Sequence, residues 1–102
     1  MKKPKLIPNT HPGEILLEDF LKPMGISQYR LANETGLPHS RVTRIIRGQH
    51  GITTDTDARL SLYFGISRGF WLGLQTDYDI MEFDRRDAKR VQAEVKPLAL
   101  AS

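Results

Sequence analysis

Apolar positions recur along this chain at helical spacing, and glycines and prolines punctuate them. Residues 12–24 place Leu16, Leu17, Phe20 and Leu21 on one side of a helix. Glu14, Glu18, Asp19 and Lys22 fall on the other, and Ile15 falls among them. Pro12 suits a first helical position, while Pro23 and Gly25 predict the stop. Ser27 then caps a second helix, whose apolar side is Leu31, Ala32 and Thr35 with Leu37 at its exit. Gly36 ends that helix and Pro38 opens a third. Wound at 3.6 residues per turn, residues 38–47 split into two faces. Val42, Ile45 and Ile46 share one face; Ser40, Thr43, Arg44 and Arg47 share the other, with His39 and Arg41 on its flanks.

Gly48 closes the third helix, and Ile52 is expected to plug the core. Thr53 or Thr54 caps a fourth helix, with Asp55 and Asp57 favourable in its first turn. Ala58, Leu60, Leu62, Tyr63 and Phe64 cover nearly all its sides, which predicts a central, sandwiched helix. Gly65 closes it and Ser67 caps a fifth, carrying Phe70, Trp71, Leu74, Tyr78 and Met81. Part of that aromatic stripe closes the core, and part suits a two-fold contact between identical subunits. From Ile80 to Lys96 the pattern weakens. Two readings stand there: a sixth, solvated helix, or a segment that orders on a partner. With no strand signal the fold class is all-α. The expected divisions are a flexible N-terminal arm at 1–10, a helical domain at 11–80, and a C-terminal helical extension with a mobile tail at 81–102.

Charge sharpens this picture. The net charge of +3 is modest, but residues 27–50 hold four arginines and one acid, Glu34. Lys2, Lys3 and Lys5 add to the basic side, as a DNA-contacting arm or a frayed terminus. A short helix, a glycine turn and a second helix with an acid-free basic face make a helix-turn-helix over residues 27–48. Guanidinium groups and short hydroxyls suit the phosphates and base edges of a DNA major groove. Gln28, at the start of the second helix, adds an amide where backbone N–H groups favour a phosphate. Tyr29 either packs or meets the DNA backbone.

Other chemistries find little support. The chain has no cysteine, so it offers no disulfide, thiolate nucleophile or thiolate metal ligand. His11, His39 and His50 lack metal-type spacing, and Asp77, Asp79, Glu82 and Asp84 do not follow a calcium loop. No phosphate-binding glycine loop or nucleophile elbow is present. No catalytic residue, metal or cofactor is therefore expected, and the chain reads as a non-enzyme. No apolar run nears the roughly 20 residues that span a bilayer, and the start lacks the apolar stretch of a secretory signal. A cytoplasmic protein is the expectation.

Three runs carry a family resemblance: HPGEILLEDFLKPMGIS, LPHSRVTRIIRGQHGITTDTDARL and YFGISRGFWLGLQTDYD. The helix-turn-helix is similar to that of Xre-like, phage-repressor-type proteins. More narrowly, residues 8–80 resemble the HigA-type, or VapI-like, antitoxins of type II toxin–antitoxin modules. The resemblance implies a five-helix phage-repressor-like domain with a C-terminal helical extension. It implies a homodimer on an inverted-repeat operator that represses its own operon. It also implies a small basic toxin as partner, an mRNA-cleaving protein held inactive. By motif, the implied DNA contacts are Gln28, His39, Ser40, Arg41, Thr43, Arg44 and Arg47, and the implied dimer contacts are Trp71, Leu74 and Tyr78. The resemblance carries no toxin surface and fades beyond residue 84. Two alternatives stay open: a stand-alone regulator without a toxin, and an interaction module that has lost DNA.

Overall fold

The first helix begins where His11 leaves an extended backbone (φ −68°, ψ 143°) and its Nδ1 accepts the Gly13 N–H at 2.9 Å. Pro12 follows at the first position, where a missing N–H costs nothing. In this computed structural model, which describes residues 8–99, α1 runs over 12–24. It is α-helical at Pro12–Ile15, opens to a π-helix over Leu16–Leu21, and returns to α at Lys22–Met24. The Lys22 N–H reaches back five residues to the Leu17 carbonyl. That wider winding immediately precedes Pro23, whose ring would crowd the carbonyl four residues back in a regular α-helix. Pro23 therefore does not stop the helix; Gly25, at φ 64°, does. Ile15, expected on the wet face, is half-buried against the core.

Helices α2 (Gln28–Thr35) and α3 (His39–Ile46) form the expected pair. Ser27 Oγ accepts the Arg30 N–H at 3.0 Å, and Gly36 turns the chain at φ 77°. Thr35 locks the turn: its hydroxyl donates to the Leu31 carbonyl and accepts the Leu37 N–H at 3.3 Å. Pro38 sits one place earlier than expected, as the extended residue before α3. Val42 and Ile45 are buried beneath it. A β-carbon on Gly13 would lie 1.7 Å from the Ile45 carbonyl oxygen, so α1 crosses α3 at backbone contact.

Helix α4 (Thr54–Phe64) is capped by Thr53, whose Oγ1 accepts the Thr56 N–H. It is not sandwiched. Its buried face is Thr56, Asp57, Leu60 and Ser61, while Leu62 is 85% exposed. The polar buried residues have a reason. Asp57 accepts the Gly69, Trp71 and Leu72 N–H groups at 2.8, 2.9 and 3.1 Å, and so caps the helix that follows. Ser67, the expected cap, serves only through its carbonyl, which accepts the Phe70 N–H.

Helix α5 (Phe70–Glu94) is one continuous helix of 25 residues, about 38 Å long, so the extension is its second half and no sixth helix begins near residue 80. Its far half lengthens the molecule: the radius of gyration is 17.8 Å, against about 13 Å for a compact chain of this size. Asn9 Nδ2 donates to the Tyr78 carbonyl at 2.9 Å and to Glu82 Oε1 at 3.0 Å, which ties the end of the expected arm to α5. Lys2, Lys3, Lys5 and residues 100–102 lie outside the described residues. Among the described residues five helices form and no strand does, and no helix is long and apolar enough to cross a membrane.

Candidate nucleic-acid interface

The side of α3 opposite Val42 and Ile45 stands clear of the protein body. Ser40, Arg44 and Arg47 are exposed, and Arg41 and Thr43 are half-buried on its flanks. Among the described residues no ion pair involves Arg41, Arg44 or Arg47. The single acid of this stretch, Glu34, is occupied elsewhere. It accepts from the Tyr63 hydroxyl and pairs with Arg30 at 2.9 Å, and these hydrogen bonds hold its carboxyl below the usual carboxylate range.

Ser40, Arg41 and Arg44 meet with Pro38 and His50 around a concave notch of about 130 Å³. His50 is held by donating Nδ1–H to the Gly51 carbonyl at 2.7 Å. Arg47 ends α3, where the Gln49 N–H returns to the Arg44 carbonyl at 2.8 Å. Gln28 is half-buried at the first position of α2. His39 Nε2 lies 3.0 Å from Asn33 Oδ1, and its ring stacks on Tyr29 with centroids 4.7 Å apart. Sequence reasoning passed over Asn33. The available signal was its spacing of four residues from Tyr29, which puts both on one side of α2.

Of the residues expected at a dimer contact, Trp71 must be withdrawn. It is fully buried in its own core, with ring centroids 4.9 Å from Phe20 and 5.3 Å from Phe70. An indole facing inward from the first turn of α5 has no surface to offer a partner. Leu74 packs partly against the same core, and Tyr78 meets the His11 ring edge-on at 4.9 Å. The exposed large apolar side chains on α5 are Phe70 at its first position and, further along, Ile80 and Phe83, beside a shallow groove lined by Asp77, Met81 and Asp84. Among the described residues no cluster of histidines and acids could hold a metal ion.

An apolar-bedded, basic second helix behind a glycine turn, within five packed helices, defines a helix-turn-helix DNA-binding domain. The helix-turn-helix family model matches residues 17–71, and the chain belongs to that family, alongside HigA-type antitoxins. It is 50% identical over 74 residues to virulence-associated protein I of Dichelobacter nodosus, covering 72% of this chain and 68% of that one. It is 36% identical over 100 residues to antitoxin HigA-1 of Vibrio cholerae, covering 96% and 90% of the two chains. The solved structure of Pseudomonas aeruginosa antitoxin HigA with the higBA promoter superposes with a TM-score of 0.86 at 36% identity, covering 90% of this chain and all of that one.

Proposed function

We propose that this protein is a dimeric, sequence-specific DNA-binding antitoxin that represses its own operon and neutralises an mRNA-cleaving toxin. It acts by binding, with no catalytic step of its own, and works in the cytoplasm where bacterial DNA lies. The carrying observation is the cationic face of α3: among the described residues Arg41, Arg44 and Arg47 enter no ion pair, above a fully buried Val42 and Ile45. Residues 1–10 serve as an arm, 11–80 as the DNA-binding domain and 81–102 as the extension.

Each protomer sets α3 into a major groove of an inverted-repeat operator, with half-site centres about 34–36 Å apart. Arg44 and Arg41 are assigned to guanine, since a guanidinium pairs in bidentate fashion with O6 and N7. Arg47, at the helix end, and Gln28, at the start of α2, are assigned to phosphates, and His39, Ser40 and Thr43 to the groove edge. The relatedness to proteins named as antitoxins supports the toxin half of the reading. A stand-alone regulator would share every feature of the interface. The two separate by co-expression with the neighbouring gene: a small basic protein that co-purifies with this chain marks the antitoxin.

The direct test is a gel shift with the duplex upstream of its own gene at two salt concentrations. Specific, salt-sensitive retention over random DNA is expected. Equal affinity for both duplexes would remove the repressor reading.

A further inference from the structure

His39 is the first residue of α3, the end of a recognition helix that meets base edges. Its Nε2 is 3.0 Å from Asn33 Oδ1. A carboxamide oxygen only accepts, so Nε2 carries the hydrogen. A neutral imidazole has a single N–H, and Nδ1 is then a bare acceptor. The Tyr29 ring lies over the imidazole at 4.7 Å and 33°, so both contacts that orient the ring come from α2. Tyr29 is 69% exposed, which places this assembly on the surface and not in the core.

The major groove offers acceptors at guanine O6 and N7 and at thymine O4. It offers amino donors only at cytosine N4 and adenine N6. A fixed lone acceptor can pair with the donors and not with the acceptors. The arginines of the same face, which only donate, read the opposite pattern.

We propose that Asn33 and Tyr29 are positioning residues that hold His39 as a hydrogen-bond acceptor, so that His39 reads the amino group of one cytosine or adenine in each half-site. The inference rests on the DNA-binding reading of α3. Without Asn33 the imidazole is free to rotate or to exchange tautomers, and an N–H can then turn toward guanine N7. Removing Asn33 therefore erases a base preference more than it lowers affinity.

The test uses the full chain at pH 8 and one fixed salt concentration. The probes are the duplex upstream of its gene and, across the protected site, base analogues that each lack one major-groove group: the amino group of cytosine or adenine, N7 or O6 of guanine, or O4 of thymine. Wild type should prefer the intact duplex over the analogue lacking one amino group per half-site by about fivefold or more. His39→Ala and Asn33→Ala should each reduce that preference to below about twofold and leave the other positions unchanged. Tyr29→Ala should weaken it, and Tyr29→Phe should keep it. Asn33→Asp, whose oxygens also only accept, should restore the preference even though its added charge lowers affinity for every duplex alike. The proposal is overturned if Asn33→Ala keeps full discrimination, if Asn33→Asp behaves as Asn33→Ala, or if the His39-dependent group is guanine N7 or O6 or thymine O4 and no amino group. Wild-type protein that holds its upstream duplex no better than random DNA removes the DNA-binding reading itself, and this proposal with it. Thermal melts of each variant separate lost selectivity from lost fold.

Discussion

Arg44 and Arg47 leave one helix on one face, yet their predicted roles differ. Arg44 shares the notch with Ser40 and Arg41, whereas Arg47 stands at the helix end. Arg44→Ala should cost about 1–3 kcal/mol of operator binding and relax the preference at one base pair. Arg47→Ala should weaken all sequences alike and lower the slope of log affinity against log salt by about one. Titrations of operator and random duplex across a salt series separate the two; unchanged affinity for both duplexes with Arg44→Ala refutes the guanine assignment. Gly13 acts on the same helix from beneath. A β-carbon there meets the Ile45 backbone at 1.7 Å, and backbone cannot swing aside as a side chain can. Gly13→Ala should destabilise the fold by about 1–3 kcal/mol or more. That corresponds to a fall in Tm of roughly 4–8 °C per kcal/mol in calorimetry. The arginine face was legible in the sequence because its spacing is local to one helix. The need for glycine at position 13 was not, because the backbone it touches belongs to another helix far along the chain.

Helix ends carry the next level of control. At the start of α1, His11 Nδ1 accepts the Gly13 N–H, which requires that nitrogen unprotonated. Burial pushes the His11 ring below its usual value, against a smaller upward pull from the Asp79 carboxylate. A depressed folded-state value means that protonation favours the unfolded chain. The contribution is full above the unfolded-state value of about 6.5 and is lost as pH falls through the folded value. Tm should therefore decline from pH 7.5 toward pH 5 by more in wild type than in His11→Asn, which caps without titrating in that range. Equal slopes in the two proteins would discard the assignment. At the start of α5, Asp57 gathers three N–H groups from a buried position. Asp57→Ala should cost roughly 2–4 kcal/mol, more than an ordinary N-cap, because buried donors lose their acceptor as well. Chemical denaturation measures it, and a loss below 1 kcal/mol would refute the cap. The sequence marked Asp57 as an acid in a first turn, which is true of α4 and misses its service to α5. Capping by a side chain from another helix leaves no local pattern. The same limit hid the π winding of α1, since a helical wheel advances every residue by 100° and the Leu16–Leu21 segment advances by less.

At the scale of the molecule, α5 is the element that the proposed dimer would use to space its two reading heads. Its first turns belong to the core through Trp71 and, in part, Leu74; its far half extends past the body with Ile80 54% and Phe83 40% exposed. The stripe Phe70, Trp71, Leu74, Tyr78 and Met81 marked a helix whose first turns pack on the core. Periodicity could not say which aromatic faced its own core and which faced outward, because burial depends on where α1 and α4 lie. Nor could the weakening pattern after Ile80 show continuity, since a helix carried by exposed side chains and ion pairs such as Arg90–Glu94 needs no apolar stripe. With Trp71 inward, the exposed pair Ile80 and Phe83 proposed here for a two-fold contact lies about two and a half to three and a half turns further along. Ile80→Ser together with Phe83→Ser should then yield a folded monomer by sedimentation equilibrium, since neither side chain is buried. Two half-sites bound by one dimer act with a high effective concentration, and separating the protomers removes that gain. Operator affinity should fall by about 10²–10⁴, while affinity for an isolated half-site stays near wild type. A double variant that remains dimeric, or that loses half-site binding in equal measure, would move the dimer contact away from this stretch of α5.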